Sequence, residues 1–201
     1  VLRAEAEGYL TAAENVSAIA VKDLARLAAC GDALDDGCLE RYLADHLSLR
    51  AFRRPPTAEE KQAIVAVYRK ARERLDTSES ARAAIELVLQ SPQFLYRPES
   101  PLEGGGDGNL ALGPWDIATR LSYFLWGSMP DKALLEAAEN NQLTTREQVR
   151  AQARRLLASP RALDSLHHFF AQWLLYKKVS EQSKNEALYP AFTPQVAADM
   201  V

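Results

Sequence analysis

The side chains of this sequence that are best suited to acid–base or metal chemistry are its histidines. His167 and His168 are adjacent, and Asp164 stands four residues before His168. On a helix, this spacing places the carboxylate on the same face as His168, where it can orient the imidazole for proton transfer or form half of a metal site. Neighbouring residues point about 100° apart on a helix, so a complete site needs ligands from elsewhere, such as His46. An ordinary helix ion pair explains the same spacing, and the residues are therefore weak catalytic candidates.

Cys30 and Cys38 are the two cysteines of the chain, and they flank the segment GDALDDG. This segment is rich in turn formers and can fold back on itself. A bridge across it would close a loop of about nine residues and stabilise the fold by about 2.5 kcal/mol. Two buried thiols are the alternative, whereas a zinc site would need further Cys or His ligands and only His46 is near. The pair predicts a disulfide and therefore an oxidising compartment, periplasmic or secreted.

Patterns for nucleophilic or phosphate chemistry are incomplete. The segment WGSMPD places Ser128 in a helix-ending turn instead of a Gly-x-Ser-x-Gly elbow. The segment GGGDG follows no predicted strand and lacks the Lys-Ser/Thr end of a phosphate-binding loop. Arg53, Arg54 and Arg97 can bind an anion or a carboxylate from a neighbouring domain, although structural salt bridges are the favoured interpretation. The sequence thus predicts no cofactor and no metal bound by this chain itself.

Composition narrows the class of partner. The 201 residues include 24 basic and 27 acidic side chains, a formal charge of −3, and 47% are hydrophobic. This balance argues against binding to nucleic acid or to an anionic membrane surface. No apolar stretch approaches the roughly 20 residues that cross a bilayer, and the first residues lack the layout of a signal peptide. Because the chain starts without Met and ends inside an expected helix, we expect it to be part of a longer precursor.

Helix-start signals recur along the chain and predict an all-α fold. Thr57 in PPTAEE and Thr144 in TTREQV each precede a glutamate by three residues, as in a capping box. Ser91 and Ser159 each precede a proline, which suits an N-cap followed by the first helical residue. Between these signals the apolar residues recur with helical period, and no segment alternates as a strand does. The predicted helices are 3–28, 38–52, 57–75, 78–90, 114–127, 131–140, 144–158, 160–178 and 193–200.

The segment 97–113, RPESPLEGGGDGNLALG, divides the chain nearly in half. Its Pro and Gly content disfavours regular structure. Asp107 and Asn109 hint at a calcium loop, but the acidic ligand pattern with a terminal Glu is missing, so a solvated linker is the simpler interpretation. We therefore predict a multi-helix bundle of two packed helical subdomains without significant sheet. The predicted divisions are a first subdomain at 1–97, a linker at 98–113 and a second subdomain at 114–201 that stops early.

The stretch LSYFLWGSMPDKALLEAA, residues 121–138, places three aromatic side chains within four positions. Projected on a helix, one apolar stripe contains Ile117, Ala118, Leu121, Phe124 and Leu125, and another contains Trp115, Tyr123 and Trp126. A helix that is apolar on two sides is expected to be contacted by neighbours on both. A stacking platform for a ligand would need basic residues along a groove, and only Arg120 is near in the sequence. Packing is therefore the predicted role of these aromatics.

Two longer stretches carry a family resemblance. LRAFRRPPTAEEKQAIVAVYRKAR, with a downstream SPQFLYRPE, resembles a domain of unknown function of the fifteen-ninety-five type, marked by Arg53-Arg54-Pro55 and by Ser91 through Arg97. LGPWDIATRLSYFLWGSMPDKALLEAAENNQL, with VRAQARRLLASPRALDSLHHFFAQWLLYKKV, resembles the fifteen-ninety-two type that usually follows it. Such tandem domains occur in large secreted proteins of planctomycete and myxobacterial type, often together with a c-type cytochrome domain.

The resemblance implies export and an association with redox domains, but it supplies no agreed activity and no catalytic residues. A helical structural or interaction module of an exported multidomain protein is the first function to consider. The alternatives are the non-haem part of a cytochrome-linked oxidoreductase, with haem c elsewhere on the precursor and a redox partner, and a metal-assisted hydrolase using His167 or His168. The expected partners are other domains or segments of the same precursor. Phe169, Trp173 and the C-terminal helix are the surface that such a segment would cover.

Overall fold

The structure is a computed structural model, and it describes residues 3–30, 34–99, 101–102, 111–182, 184–185 and 187–200. It confirms the predicted all-α class. The chain divides into two compact units, Val1–Asp116 and Ile117–Val201. In chain order the helices are α1 Arg3–Ala20, α2 Leu24–Ala28, α3 Asp36–Arg41, α4 Ser48–Phe52, α5 Ala58–Arg72, α6 Thr77–Gln90, α7 Pro92–Leu95, α8 Pro114–Trp126, α9 Lys132–Glu139, α10 Arg146–Leu157, α11 Arg161–Leu174 and α12 Pro194–Asp199.

Short pieces of other structure join these helices. Residues Val21–Asp23 and Tyr176–Glu181 form 3₁₀ turns, and Tyr42–Leu47 forms a π-helical segment. Strands β1, Pro101–Leu102, and β2, Ala111–Leu112, pair antiparallel over two residues each. The sequence predicted no regular structure in the segment 97–113, whereas a short strand lies near each of its ends. Asp107 and Asn109 lie outside the described residues.

Three predicted helices are shorter or more interrupted than expected. The predicted helix 3–28 is wrong as a continuous element, because Asp23 leaves helical geometry at φ −132° between α1 and α2. The predicted helix 38–52 starts at Asp36 and contains the π-helical segment. The predicted helix 160–178 ends at Leu174, because Leu175 adopts the left-handed conformation at φ 54°. Leu175 is not a glycine, so the sequence carried no stop signal at that point.

The predicted capping box is present at the start of α5, whereas the box at the start of α10 lies one residue later than predicted. Thr57 and Glu60 form the predicted capping box at the start of α5. At α10 the predicted box of Thr144 with Glu147 is wrong, because Thr145 caps the helix and Gln148 reaches back to it. Both boxes satisfy backbone N–H groups that the first turn leaves unpaired. Consecutive threonines allow either register, and the sequence does not discriminate between them.

Helix α6 is the centre of the first unit, with α1 and α5 packed against it. Its Ala81 and Ala84 are fully buried, and small side chains of this kind let neighbouring helices approach closely. Ser17 of α1 is also fully buried and donates to the Glu86 carboxylate at 2.8 Å. The core cluster of this unit comprises Leu24, Leu39, Leu43, Ala51, Phe52, Ile64, Tyr68, Ala81, Ala84, Ile85 and Val88.

The second unit has a smaller buried set, to which α8 and α9 contribute most. Trp126 at the end of α8 is 8% exposed, and its indole Nε1 donates to the backbone oxygen of Leu156 at 2.8 Å. This bond satisfies the polar atom of an otherwise apolar side chain. The buried apolar residues of α8 to α11 are Ala118, Trp126, Leu134, Leu135, Ala137, Ala138, Leu143, Leu156, Ala162 and Ala171.

Candidate functional site

Arg53 is buried, and its guanidinium holds the last turn of α7. Its Nη2 donates to the backbone oxygens of Gln93 at 2.5 Å and of Tyr96 at 2.7 Å, and its Nη1 donates to that of Phe94 at 3.4 Å. The side chain is 4% exposed. Carbonyl groups at the end of a helix have no partners inside the helix and attract a cation. Arg53 thus joins the two marked motifs, Arg-Arg-Pro and Ser-Pro-Gln-Phe-Leu-Tyr, through main-chain contacts.

Arg54 also has a structural role. It makes a bidentate ion pair with Glu60, with N–O distances of 2.8 and 2.9 Å, and Glu60 simultaneously accepts from the backbone N–H of Thr57. The Arg54 guanidinium is the main cause that lowers the pKa of the Glu60 carboxyl. Arg97 is exposed and takes part in an interaction of its own. Of the three arginines that the sequence suggested as anion ligands, Arg53 and Arg54 therefore make contacts within the chain.

Cys30 and Cys38 form the predicted disulfide, with their Cα atoms 5.9 Å apart. The bridge fastens the segment after α2 to the first turn of α3, where the Asp35 side chain accepts from the backbone N–H of Cys38. A polar cluster lies beside it: the Tyr68 hydroxyl donates to Asp36 at 2.5 Å, and Arg72 donates to the same carboxylate oxygen at 3.0 Å. The Tyr68 hydroxyl and then Arg72 lower the pKa of Asp36. These contacts connect α3 to α5.

The histidine candidates are not assembled into a site among the described residues. His167, His168 and Asp164 are all exposed on α11 of the second unit, whereas His46 is exposed on the π-helical segment of the first unit. In the described part of the chain, neither a hydrogen bond nor an ion pair joins Asp164 to His168, and no group of three or more His, Cys, Asp or Glu side chains is placed to hold a metal. A catalytic role for these residues stays a prediction.

The aromatic stretch of α8 divides into a buried ring and an exposed one. The Arg161 guanidinium carbon lies 4.4 Å from the centre of the Trp126 ring, a cation–π contact. Arg155 makes a bidentate pair with Asp131 at 2.7 and 3.0 Å. The Arg155 hydrogen bonds are the main cause of the lowered pKa of Asp131. Packing is therefore the role of Trp126, as the sequence predicted.

Packing is the wrong interpretation for Phe124. Its side chain is 80% exposed, although the helical projection placed it on the same stripe as buried Ala118. The buried line of α8 consists of Ala118, Ser122 and Trp126, spaced four residues apart. Phe124 lies about 160° from Ser122 around the same helix. The buried line thus takes one residue from each predicted stripe, Ala118 and Trp126, and passes through Ser122, which belongs to neither.

Helix α11 exposes an apolar face, which is the strongest candidate for a functional surface in the second unit. Phe169 and Trp173 are 57% and 66% exposed, and Phe170 is 40% exposed. The three rings contact one another, with centroids 5.4 to 6.0 Å apart. A contiguous exposed apolar patch of this kind marks an interaction site more often than an isolated exposed leucine does. The α11 face comprises Leu163, Leu166, Phe169, Phe170, Trp173 and Leu174.

In the ranges that the structure describes, no helix combines the length and apolar character that spanning a bilayer requires.

Comparison with known proteins identifies two family regions. The family described as PSD5, protein of unknown function (DUF1595), matches residues 38–99, which contain Cys38, both marked motifs and α4 to α7. The family described as PSD4, protein of unknown function (DUF1592), matches residues 112–201, which contain α8 to α12. No curated protein and no solved structure matches the chain. The chain therefore carries a region that matches the DUF1595 family, followed by a region that matches the DUF1592 family.

Proposed function

We propose that this chain is a helical interaction module of an exported multidomain protein and that the α11 face is its main partner-binding surface. The observation that carries the proposal is the exposed aromatic cluster of Phe169, Phe170 and Trp173. Large aromatic side chains dominate binding energy at protein interfaces, and Trp is among the most enriched residues at such sites. A partner that covers these rings removes them from water. This burial stabilises the complex by about 1.5–3 kcal/mol for each large apolar side chain that is fully buried.

Export is the second part of the proposal, and the disulfide supports it. Disulfides persist in oxidising compartments and are rare in the cytosol. The bridge between Cys30 and Cys38 closes a short loop and fastens α3, and it stabilises the fold only while it stays oxidised. The periplasm or the extracellular space is the compartment that suits such a bridge.

The test is a comparison of native and denatured mass for the protein isolated from its own source. We expect a companion polypeptide, or a larger precursor segment, bound in fixed stoichiometry to the native protein. The double variant Phe169→Asp with Trp173→Asp should lose this companion while it keeps its helical circular dichroism. His168→Ala is the matched control, because His168 is exposed on the same helix outside the aromatic cluster and should keep the companion.

Four outcomes would count against the proposal. A native protein without a companion, or a companion that the double variant retains, would remove the role of the α11 face. Additional mass that corresponds to haem would favour the cytochrome-linked oxidoreductase. A bound metal ion lost with His168→Ala would favour the metal-assisted hydrolase.

A further inference from the structure

A second apolar surface lies between α8 and α10 of the second unit. It is a groove of about 420 Å³, lined by Ile117, Arg120, Leu121 and Phe124 of α8 and by Val149 of α10. The four α8 residues are spaced i, i+3, i+4 and i+7, so they form one continuous face of the helix. Arg120 is the one charged residue among them. The groove is distinct in its residues from the α11 face.

The α10 side of the groove is basic. Arg146 stands one turn before Val149 on the same side of α10, and Arg150 stands one turn after Arg146. Both are exposed, and in the described part of the chain neither has an ion-pair partner. Glu147, the acidic residue of α10, lies about 160° from Val149 around the helix, beyond Arg150, which is its i, i+3 neighbour. The rim that faces solvent beside Val149 is thus positively charged.

The stability of α10 does not account for Arg146. Arg146 is the first residue of the helix, where a cation opposes the helix dipole. Arg146 and Arg150 are also like charges four residues apart, an arrangement that destabilises a helix. Arg155 of the same helix, by contrast, pairs with Asp131. An anionic partner at the rim would relieve both unfavourable terms.

The shape of the groove favours a polypeptide over a small molecule. Small-molecule sites bury most of the ligand surface, whereas this groove is shallow and Phe124 at its edge is 80% exposed. An open apolar groove between two helices is the usual receptor for the apolar face of an amphipathic helix. Charge at the rim then sets which helix is accepted.

We propose that the groove between α8 and α10 binds an acidic amphipathic helix of a partner protein. Apolar side chains of that helix fill the space over Leu121, Phe124 and Val149, and its flanking carboxylates face Arg146 and Arg150. The proposal adds a charge-selective site to the interaction module and does not depend on the α11 face.

The first experiment uses two synthetic helical peptides of equal length and a fluorescent label. Both carry leucine at positions i, i+3, i+4 and i+7; one has glutamate at the flanking positions and the other has lysine. Fluorescence anisotropy with the full chain should show binding of the glutamate peptide, at least about tenfold tighter than the lysine peptide at low salt. Added salt should reduce this preference, because it screens exposed charges.

Two variants of α10 locate the interaction. Arg146→Glu should weaken the glutamate peptide by about tenfold, because it reverses a charge beside Val149. Arg154→Glu is the matched control: Arg154 is also exposed and without an ion pair among the described residues, but it lies about 140° from Val149 around the helix.

Phe124→Ser should weaken the binding of both peptides, since it removes an apolar side chain that lines the groove. The Phe169→Asp with Trp173→Asp variant should bind the peptides as the natural chain does, which separates this site from the α11 face.

Each contrary result overturns the proposal. Equal binding of the two peptides would remove the charge selectivity, and no binding of either would remove the site. An equal loss with Arg154→Glu would indicate non-specific attraction to a basic helix. Displacement of the glutamate peptide by laurate would identify the groove as a site for a small apolar carboxylate. Sedimentation velocity that shows self-association lost with Arg146→Glu would identify a second copy of the chain as the occupant.

Discussion

Arg53 combines a left-handed backbone with a buried guanidinium, and each feature is unfavourable alone. Its φ of 61° ends α4 in a conformation that costs a non-glycine residue about 1–2 kcal/mol. Glycine would relieve that strain, but it would leave the carbonyl groups of Gln93, Phe94 and Tyr96 without their cationic donor. The three hydrogen bonds explain why an arginine occupies a position whose backbone favours glycine.

Replacing Arg53 by methionine should therefore destabilise the first unit. We expect Arg53→Met to lower the free energy of unfolding by about 3 kcal/mol, because three part-buried carbonyl groups lose charge-assisted hydrogen bonds. The measurement is urea unfolding followed by circular dichroism at 222 nm. Arg54→Met is the control; its ion pair with Glu60 is more exposed, and we expect a loss of about 1 kcal/mol. Equal losses for the two variants would refute the special role of Arg53.

At the scale of elements, α3 depends on contacts at both of its sides. The disulfide holds its first turn to the segment after α2, and the hydrogen bond from Tyr68 holds Asp36 to α5. Arg69 of α5 adds a bidentate pair with Glu40 at 2.7 Å for both bonds. Because α3 begins a helical run that continues through the π-helical segment to Phe52, these tertiary contacts fasten the first turns of that run.

Removal of the disulfide should loosen this element. We expect Cys30→Ser with Cys38→Ser to lower the free energy of unfolding by about 2.5 kcal/mol, the entropy of closing a loop of about nine residues in the unfolded chain. Urea unfolding of the double variant beside the oxidised natural chain measures the difference. Dithiothreitol should shift the natural chain toward the variant and leave the variant unchanged. A natural chain that is insensitive to reduction would contradict the structural role of the bridge.

At the scale of the whole molecule, carboxylates in both units share one response to acid. Hydrogen bonds from Tyr68 and Arg72 lower the pKa of Asp36, and Arg155 lowers the pKa of Asp131. A group whose pKa is lower in the folded state contributes stability above its unfolded pKa, near 4, and loses it as the pH falls through the folded value. The free energy of unfolding should therefore decrease as the pH falls below about 4.

The contribution of Asp131 can be isolated by substitution. Asp131→Asn should lower the Tm at pH 7 by a few degrees and reduce the difference in Tm between pH 7 and pH 3, because the variant has no carboxylate to protonate. Circular dichroism during heating at the two pH values measures both quantities. Asp164→Asn is the control, since its exposed side chain has no ion pair among the described residues. An Asp131→Asn variant with the full acid sensitivity of the natural chain would rule out this contribution.

The sequence by itself determined the helical class, most helix starts, the disulfide and the two family regions. These features depend on local chemistry: the capping box at Thr57, the Ser91-Pro92 start and the spacing of Cys30 and Cys38 are all legible over a few residues. The left-handed break at Leu175 was missed, because leucine is not the glycine that usually marks such a conformation. Local signals predict where a helix can begin better than where it must stop.

Tertiary structure alone decided which apolar faces are covered. Trp126 and Phe124 lie two positions apart in one aromatic stretch, yet one is buried beneath Arg161 and the other lines an open groove. Likewise, only the packing of α10 beside α8 brings a basic rim to the groove, because Val149 is 25 or more positions from the α8 residues that it faces. Periodicity gives the direction of each side chain around its own helix, whereas burial depends on neighbours that are distant in sequence.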